Sequence, residues 1–266
     1  DGGVVLISKS YSYPVFDEDT IHDILLRKIN ENGSLDWQTI LPARDFKAIT
    51  LGKDSTYIIA GTVHEAPFNF GMDVILYKVD VNGDIQWSER AGLPSTNPVP
   101  QSKEQPISIR EIDGNIYVSG YSFVDVFALK GILYQFDEFG NLKWEIFIDA
   151  QNGEDHRINS VFKFNNRHYF IMGKADEFYH YEFNPASGDF WEVDDSLNID
   201  FTDHGYNYII DCTGKELTAI VTEDTLNYLR IYSELSVQPI YEKLIPEITE
   251  WGCYQLIRTQ DNGLLS

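Results

Sequence analysis

A glycine turn followed by a tryptophan recurs along this chain and constrains the fold more than any other feature. Three clear copies contain Gly33 and Trp37, Gly83 and Trp87, and Gly140 and Trp144. A looser fourth copy ends at Trp191, and a weaker fifth copy runs from Tyr232 to Tyr241. The glycine supplies the positive φ that closes a tight hairpin between two strands. Repetition of one unit predicts a single array of like units instead of several unrelated domains.

Each repeat offers four short strands joined by tight turns. The first precedes a turn such as Asp113-Gly114, and the second is an apolar run that ends in a small residue. The third precedes the glycine turn, and the fourth carries the tryptophan. Four-stranded units that recur about every fifty residues are typical of β-propeller blades. The sequence therefore predicts an all-β propeller in which residues 1–266 form one domain.

The two ends of the chain favour five blades. The motif Asp1-Gly-Gly-Val4 recurs as Asp261-Asn-Gly-Leu264, five repeats later. If the strand at 253–259 pairs with the strand at 2–8, it completes the first blade and removes the exposed edges of an open sheet. The alternative is an arc of a larger propeller, because Leu264 and Leu265 look like the start of another strand.

The repeats resemble the Asp-Gly-Gly type of bacterial propeller repeat along nearly the whole chain. The motifs that carry this resemblance are DGGVVLIS with LLRKINENGSLDW, and AGTV with LYKVDVNGDIQW. The resemblance implies a propeller in a secreted or surface-exposed protein of the bacterial envelope, often a lipoprotein whose lipid anchor would lie outside the given chain. It implies no catalytic residue.

The charge of the chain excludes some classes of partner. Forty-two acidic side chains against 20 basic ones give a formal net charge of −22. Such a field repels phosphate backbones, so no nucleic-acid partner is expected. No run of residues is long and apolar enough for a transmembrane helix. The location is what the resemblance implies: outside the cytoplasm, at the cell surface, associated with the outer membrane, or secreted.

No cofactor or metal site is predicted from residue spacing. The six histidines do not form a metal-ligand motif. Asp80, Asn82 and Asp84 resemble the start of a calcium loop, but Ala91 stands where that loop requires a glutamate. This segment is therefore predicted to be a hairpin turn.

The loops that enter the innermost strands carry a carboxylate in every repeat. In a propeller these loops surround one mouth of the central channel, where a ring of carboxylates would bind a cation or a basic side chain. The alternative is chance, because acidic residues are frequent throughout the chain. The candidate binding residues of the mouth are Asp45, Glu104, Asp155, His156, Asp203, His204, Glu250 and Trp251.

Two long loops carry aromatic side chains and are predicted to lie on one face. Long loops on rigid scaffolds often mediate recognition, and exposed aromatic residues favour contact with proteins or sugars. They equally suit the covering of sheet edges. The candidate residues are Tyr11, Tyr13, Phe16, Phe68 and Phe70.

These features favour a non-catalytic binding or scaffold module with a protein partner in an envelope complex, and not an enzyme. The first alternative is a carbohydrate-active enzyme of the glycoside hydrolase kind, with two carboxylates at the propeller mouth at the separation that hydrolysis requires. The second alternative is a lectin, which would need similar sugar pockets in successive blades.

Overall fold

The computed structural model describes residues 3–9, 23–64, 71–92, 103–125, 128–149, 155–164, 166–174 and 177–193. It also describes the backbone of six further strands between residues 208 and 265. The described residues form strands and turns without a helix, so the predicted all-β class is confirmed.

The strands follow the predicted repeats and form five successive units, here called blades one to five. Blade one contains β1 (Val4–Lys9), β2 (Asp23–Ile29) and β3 (Leu35–Pro42). Blade two contains β4 (Asp45–Leu51), β5 (Tyr57–His64), β6 (Met72–Val79) and β7 (Ile85–Ala91). Blade three contains β8 (Lys103–Ile112), β9 (Asn115–Asp125), β10 (Ala128–Phe136) and β11 (Leu142–Ile148). Blade four contains β12 (His156–Phe164), β13 (Arg167–Lys174), β14 (Glu177–Phe183) and β15 (Phe190–Glu192). Blade five contains β16 (Tyr208–Thr213), β17 (Glu216–Glu223), β18 (Leu226–Ser233) and β19 (Tyr241–Ile245), and a short hairpin of β20 (Ile257–Arg258) and β21 (Leu264–Leu265) follows.

Each blade is an antiparallel meander in which every strand pairs with the next strand along the chain. The first strands of successive blades contact one another in chain order, from β4 to β8, β12, β16 and β20. Blades two and three are also joined by a single parallel bridge between Met72 and Lys103. Sheets stacked through their first strands in this way have the arrangement of propeller blades around an axis.

The hairpin turns before the outer strands use the same chemistry in each blade. The Asp80 carboxylate accepts hydrogen bonds from the backbone amides of Asn82 and Asp84, at 2.8 and 3.0 Å. The predicted hairpin turn at Asp80 is therefore confirmed. Asn30 and Asp137 make the corresponding bonds in their own turns. Burial tends to raise the pKa of Asp137, but hydrogen bonds from Asn141, Lys143 and Phe139 lower it to about 2.

The tryptophan in the outer strand of each of blades one to three contacts the hairpin turn of the following blade. The indole Nε1 donates to the backbone carbonyl of residue 81 for Trp37, 138 for Trp87 and 185 for Trp144, at 2.7, 3.2 and 3.1 Å. The same indole rings cover the turn glycines of the next blade. A Cβ on Gly83 would lie 2.8 Å from the Trp37 ring, and a Cβ on Gly188 would lie 3.1 Å from the Trp144 ring. The glycine is therefore needed both for its positive φ and for the space that the indole occupies.

The apolar cores lie in the seams between blades. The seam between blades two and three buries aliphatic side chains from both sheets, with Trp87 packed against it. The seam between blades three and four is more aromatic, and Tyr117 and Trp144 contact Phe183 there. Because each sheet buries one face against each neighbour, no blade forms a complete core by itself.

The predicted closure of the first blade is not confirmed. Within the described part of the chain, β1 has β2 as its paired neighbour, and the C-terminal strand β20 pairs with β21. The hairpin at Leu264 and Leu265 matches the strand start that the sequence indicated there.

Alanine substitutions at two turn glycines separate backbone strain from the contact with tryptophan. Gly33 and Gly83 both have positive φ, at 80° and 89°, but no described atom lies within 4 Å of a Cβ placed on Gly33. We expect Gly33→Ala to lower the free energy of unfolding by about 1–2 kcal/mol through strain alone. Gly83→Ala should cost roughly 1–3 kcal/mol more, because the methyl group overlaps the Trp37 ring. Urea unfolding followed by circular dichroism measures both losses of stability. Equal losses would contradict the close contact between the Trp37 ring and Gly83.

Candidate functional site

The candidate site lies on the face of the blades where β4, β8 and β12 begin, here called the entry face. In an antiparallel meander the end of the second strand and the start of the third strand lie beside the start of the first strand. Asp45, Glu104 and Asp155 therefore lie on this one face of three successive blades.

A β-bulge in each first strand determines where these side chains point. The pairing with the second strand shifts register at Lys47 in β4, at Ile107 in β8 and at Asn159 in β12. The backbone of β16 has the same irregularity. In blades two and three the bulge brings a first-strand carbonyl towards a glycine of the second strand. A Cβ on Gly61 would lie 2.4 Å from the backbone carbonyl oxygen of Asp45. A Cβ on Gly120 would lie 2.0 Å from the backbone carbonyl oxygen of Gln105. The small residue at the end of the apolar run thus provides the space for the bulge.

The three carboxylates do not occupy equivalent positions relative to the bulge. Asp45 is two residues before it, Glu104 three residues before it and Asp155 four residues before it. Because side chains alternate across a strand, an offset of one residue reverses the face to which they point. The side chains of Asp45 and Asp155 are 38% and 49% exposed, whereas Glu104 is completely buried.

Glu104 lies in the seam between blades two and three with a second carboxylate. A Cβ on Gly92 would lie 2.4 Å from Asp73 Oδ1 and 2.6 Å from Glu104 Oε2, so the two carboxylates converge on the space above this glycine. The other oxygen of Asp73 accepts a bond from Arg90 Nε at 2.6 Å. Burial, followed by the charges of Glu104, Glu145 and Asp73, raises the pKa of the nearby Tyr134 hydroxyl.

Asp155 belongs to an exposed cluster between blades three and four. Its Oδ1 accepts a hydrogen bond from the backbone amide of Leu129 at 3.2 Å, and its Oδ2 lies 3.8 Å from Arg157 Nη2. The Arg157 guanidinium carbon lies 5.1 Å from the centroid of the Tyr121 ring, a cation–π contact. Tyr121 in turn makes an edge-to-face contact with Phe123, which is 42% exposed. We call Tyr121, Phe123, Asp155 and Arg157 the aromatic–arginine cluster.

The remaining described candidates have local roles. Asp45 forms an ion pair with Lys47 at 2.8 Å and accepts a hydrogen bond from the backbone amide of Phe46. His156 occupies the same position before its bulge as Glu104 and is buried, with neither ring nitrogen in a hydrogen bond to the described residues. The candidates that lie outside the described residues are Asp203, His204, Glu250, Trp251, Tyr11, Tyr13, Phe16, Phe68 and Phe70.

Sequence reasoning did not identify Asp73, Tyr121, Phe123 or Arg157 as site residues. Arg157 stands two positions after a nominated carboxylate, and only the register of the bulge shows that it points outward beside Tyr121. Asp73 is separated from Glu104 by 31 positions in the sequence. Their proximity follows from the stacking of blades, which has no local sequence signal.

Two types of site are absent from the described part of the chain. No group of three or more histidine, cysteine, aspartate or glutamate side chains is arranged to hold a metal ion there. No helix among these residues is long and apolar enough to cross a membrane.

The comparisons with known proteins support the propeller fold and nothing finer. No family model and no curated protein matches the sequence. A puromycin hydrolase structure in complex with PGG matches 99% of this chain and 40% of its own, at 11% identity and a TM-score of 0.52. The subtype N10 neuraminidase-like protein of A/little yellow-shouldered bat/Guatemala matches 84% of this chain and 74% of its own, at 9% identity and a TM-score of 0.51. The neuraminidase-like protein is a β-propeller, which agrees with the stacked four-stranded blades described above.

Proposed function

We propose that this propeller is a non-catalytic binding or scaffold module of a bacterial envelope complex. Its partner is a protein that it contacts through the entry face, outside the cytoplasm. The aromatic–arginine cluster is the observation that carries this proposal. The Asp-Gly-Gly type repeats support the compartment, and the net charge of −22 favours partners other than nucleic acids.

The composition of this cluster suits a contact with a protein. Tyrosine, tryptophan and arginine are the residues most enriched among those that dominate binding energy at protein interfaces. Tyr121 supports the Arg157 guanidinium from one side, and the Arg157 side chain is 50% exposed. A guanidinium that is held in place before binding loses less conformational entropy when a partner carboxylate or aromatic ring contacts it.

The proposal predicts that the cluster is required for recovery of an envelope partner. The tagged full-length chain is used to capture proteins from detergent-solubilised bacterial envelopes. We expect the combined variant Phe123→Ser with Arg157→Ala to lose the partner that the unmodified chain recovers, with binding weakened by roughly 2–4 kcal/mol.

Phe139 provides a matched control for this experiment. It is 69% exposed in the turn before the outer strand of blade three, away from the entry face. Phe139→Ser should therefore leave the recovery unchanged. Equal recovery with all three proteins would contradict the proposed contact surface, and turnover of a glycoside by the purified chain would contradict a non-catalytic role.

The first alternative, a glycoside hydrolase, requires two carboxylates that a substrate can reach. Asp73 and Glu104 converge, but they are 8% and 0% exposed. Asp45 and Asp155 are accessible and lie in different blades, beside Lys47 and Arg157. These environments favour binding over hydrolysis. The second alternative, a lectin with like pockets, is disfavoured because the entry-face positions differ between blades.

We also propose that the native ring closes at five blades. In blade two, Leu51 pairs with Tyr57, and Arg258 pairs with Leu264 across a connection of the same length. Val4 corresponds to Tyr57, because Val4 pairs with Ile29 at the end of β2 and Tyr57 pairs with Val79 at the end of β6. The strand at residues 264–265 is thus equivalent to the strand that contains Val4 and Val5. The two compete for one position beside β20. The exposed apolar side chains on the outer face of blade one, Leu6 and Ile40 at 49% each, are surfaces that a neighbouring blade would cover.

Paired cysteines distinguish closure by β1 from the hairpin with β21. In a chain whose native cysteines are serines, closure predicts that Val5→Cys with Ile257→Cys forms a disulfide under mild oxidation. The competing pair is Ile257→Cys with Leu265→Cys. Mass spectrometry of the non-reduced peptides measures both. Formation of the second disulfide without the first would contradict the closed ring.

A further inference from the structure

The buried seam between blades two and three contains polar groups that the proposed function does not use. Asp73 lies in the second blade and Glu104 in the third, and both direct an oxygen towards the space above Gly92. Every other residue type would place a Cβ in this space, within 2.6 Å of both carboxylate oxygens. Glycine at position 92 therefore keeps the space open.

Two buried hydroxyls accompany the carboxylates. Ser122 lies directly opposite Glu104 in the pairing of β8 with β9, so the two side chains share one face of the sheet. Tyr134 lies on the same face, opposite Val118. Both residues are completely buried, and neither hydroxyl has a hydrogen-bond partner among the described residues. Burial of a hydroxyl without a partner is unfavourable, so such groups generally contact a bound water or ion.

We propose that Asp73, Glu104, Ser122 and Tyr134 bind a hard, oxygen-preferring cation of the calcium class in this seam. Carboxylates and neutral oxygens are the ligands that Ca²⁺ prefers in proteins. Two carboxylates in one buried seam repel each other, and a cation between them replaces the repulsion with attraction. Arg90 fixes Asp73 through its other oxygen and leaves Oδ1 directed towards Gly92.

The site would join the two blades at the entry face. Asp73 is the second residue of β6 in one blade and Glu104 is the second residue of β8 in the next, directly after the bridged residues Met72 and Lys103. A bound cation would therefore hold blades two and three together at the same face that carries the aromatic–arginine cluster. The net charge of −22 increases the local concentration of cations around the whole molecule.

The test is a calorimetric titration of the chelator-treated full chain with CaCl₂, repeated in high NaCl to displace weak surface binding. One tight site is expected in the unmodified chain. Glu104→Gln keeps the shape of the side chain and removes its charge, and it should weaken that site roughly a hundredfold. Tyr134→Phe should weaken it roughly tenfold.

Asp45→Asn is the matched control, because Asp45 is an exposed carboxylate at the start of the equivalent strand. It should leave the tight site unchanged. If Glu104→Gln does not fold, terbium emission excited through tyrosine in the unmodified chain and in Tyr134→Phe gives an independent readout, with calcium as the competitor. The absence of a tight site in the unmodified chain, or equal affinity in Glu104→Gln and Asp45→Asn, would overturn the proposal.

Discussion

The fold depends on the contact between a tryptophan and the turn of the following blade. The indole nitrogen donates to a turn carbonyl, and the ring covers the turn glycine, in three successive seams. The contact joins residues 41 to 51 positions apart and sets the position of each sheet relative to the next. Blades two and three each bury both faces against their neighbours, so their apolar cores exist only when these contacts hold the blades in register.

A second constraint, the bulge in each first strand, divides the entry face into buried and exposed positions. Residues three positions before the bulge, such as Glu104 and His156, enter the seams. Residues two positions before it, such as Asp45 and Arg157, face outward. The aromatic–arginine cluster and the proposed cation site thus use opposite faces of strands with the same local geometry.

The periodic parts of the structure could be predicted from the sequence, and the parts that depend on register could not. The turns around Gly33, Gly83 and Gly140 and the strands beside them follow from local chemistry, as does the packing of tryptophan between sheets. The bulge is a one-residue shift with no fixed sequence signature. Alignment of the repeats therefore predicted one equivalent position for Asp45, Glu104 and Asp155. In the structure they lie at three different positions relative to the bulge. The sequence also does not distinguish closure by Val4 and Val5 from a hairpin at residues 264–265, because both strands suit the same partner strand.

The most direct test of this account is hydrogen exchange at the indole nitrogens, measured by nuclear magnetic resonance with assignments from single tryptophan-to-phenylalanine variants. Trp191 is 48% exposed and serves as the internal reference. If the indole contacts hold the blades together, the indole protons of Trp37, Trp87 and Trp144 will exchange far more slowly than that of Trp191, at rates that track unfolding of the sheets. Exchange of all four at one fast rate would show that the blades are held together by something other than these contacts.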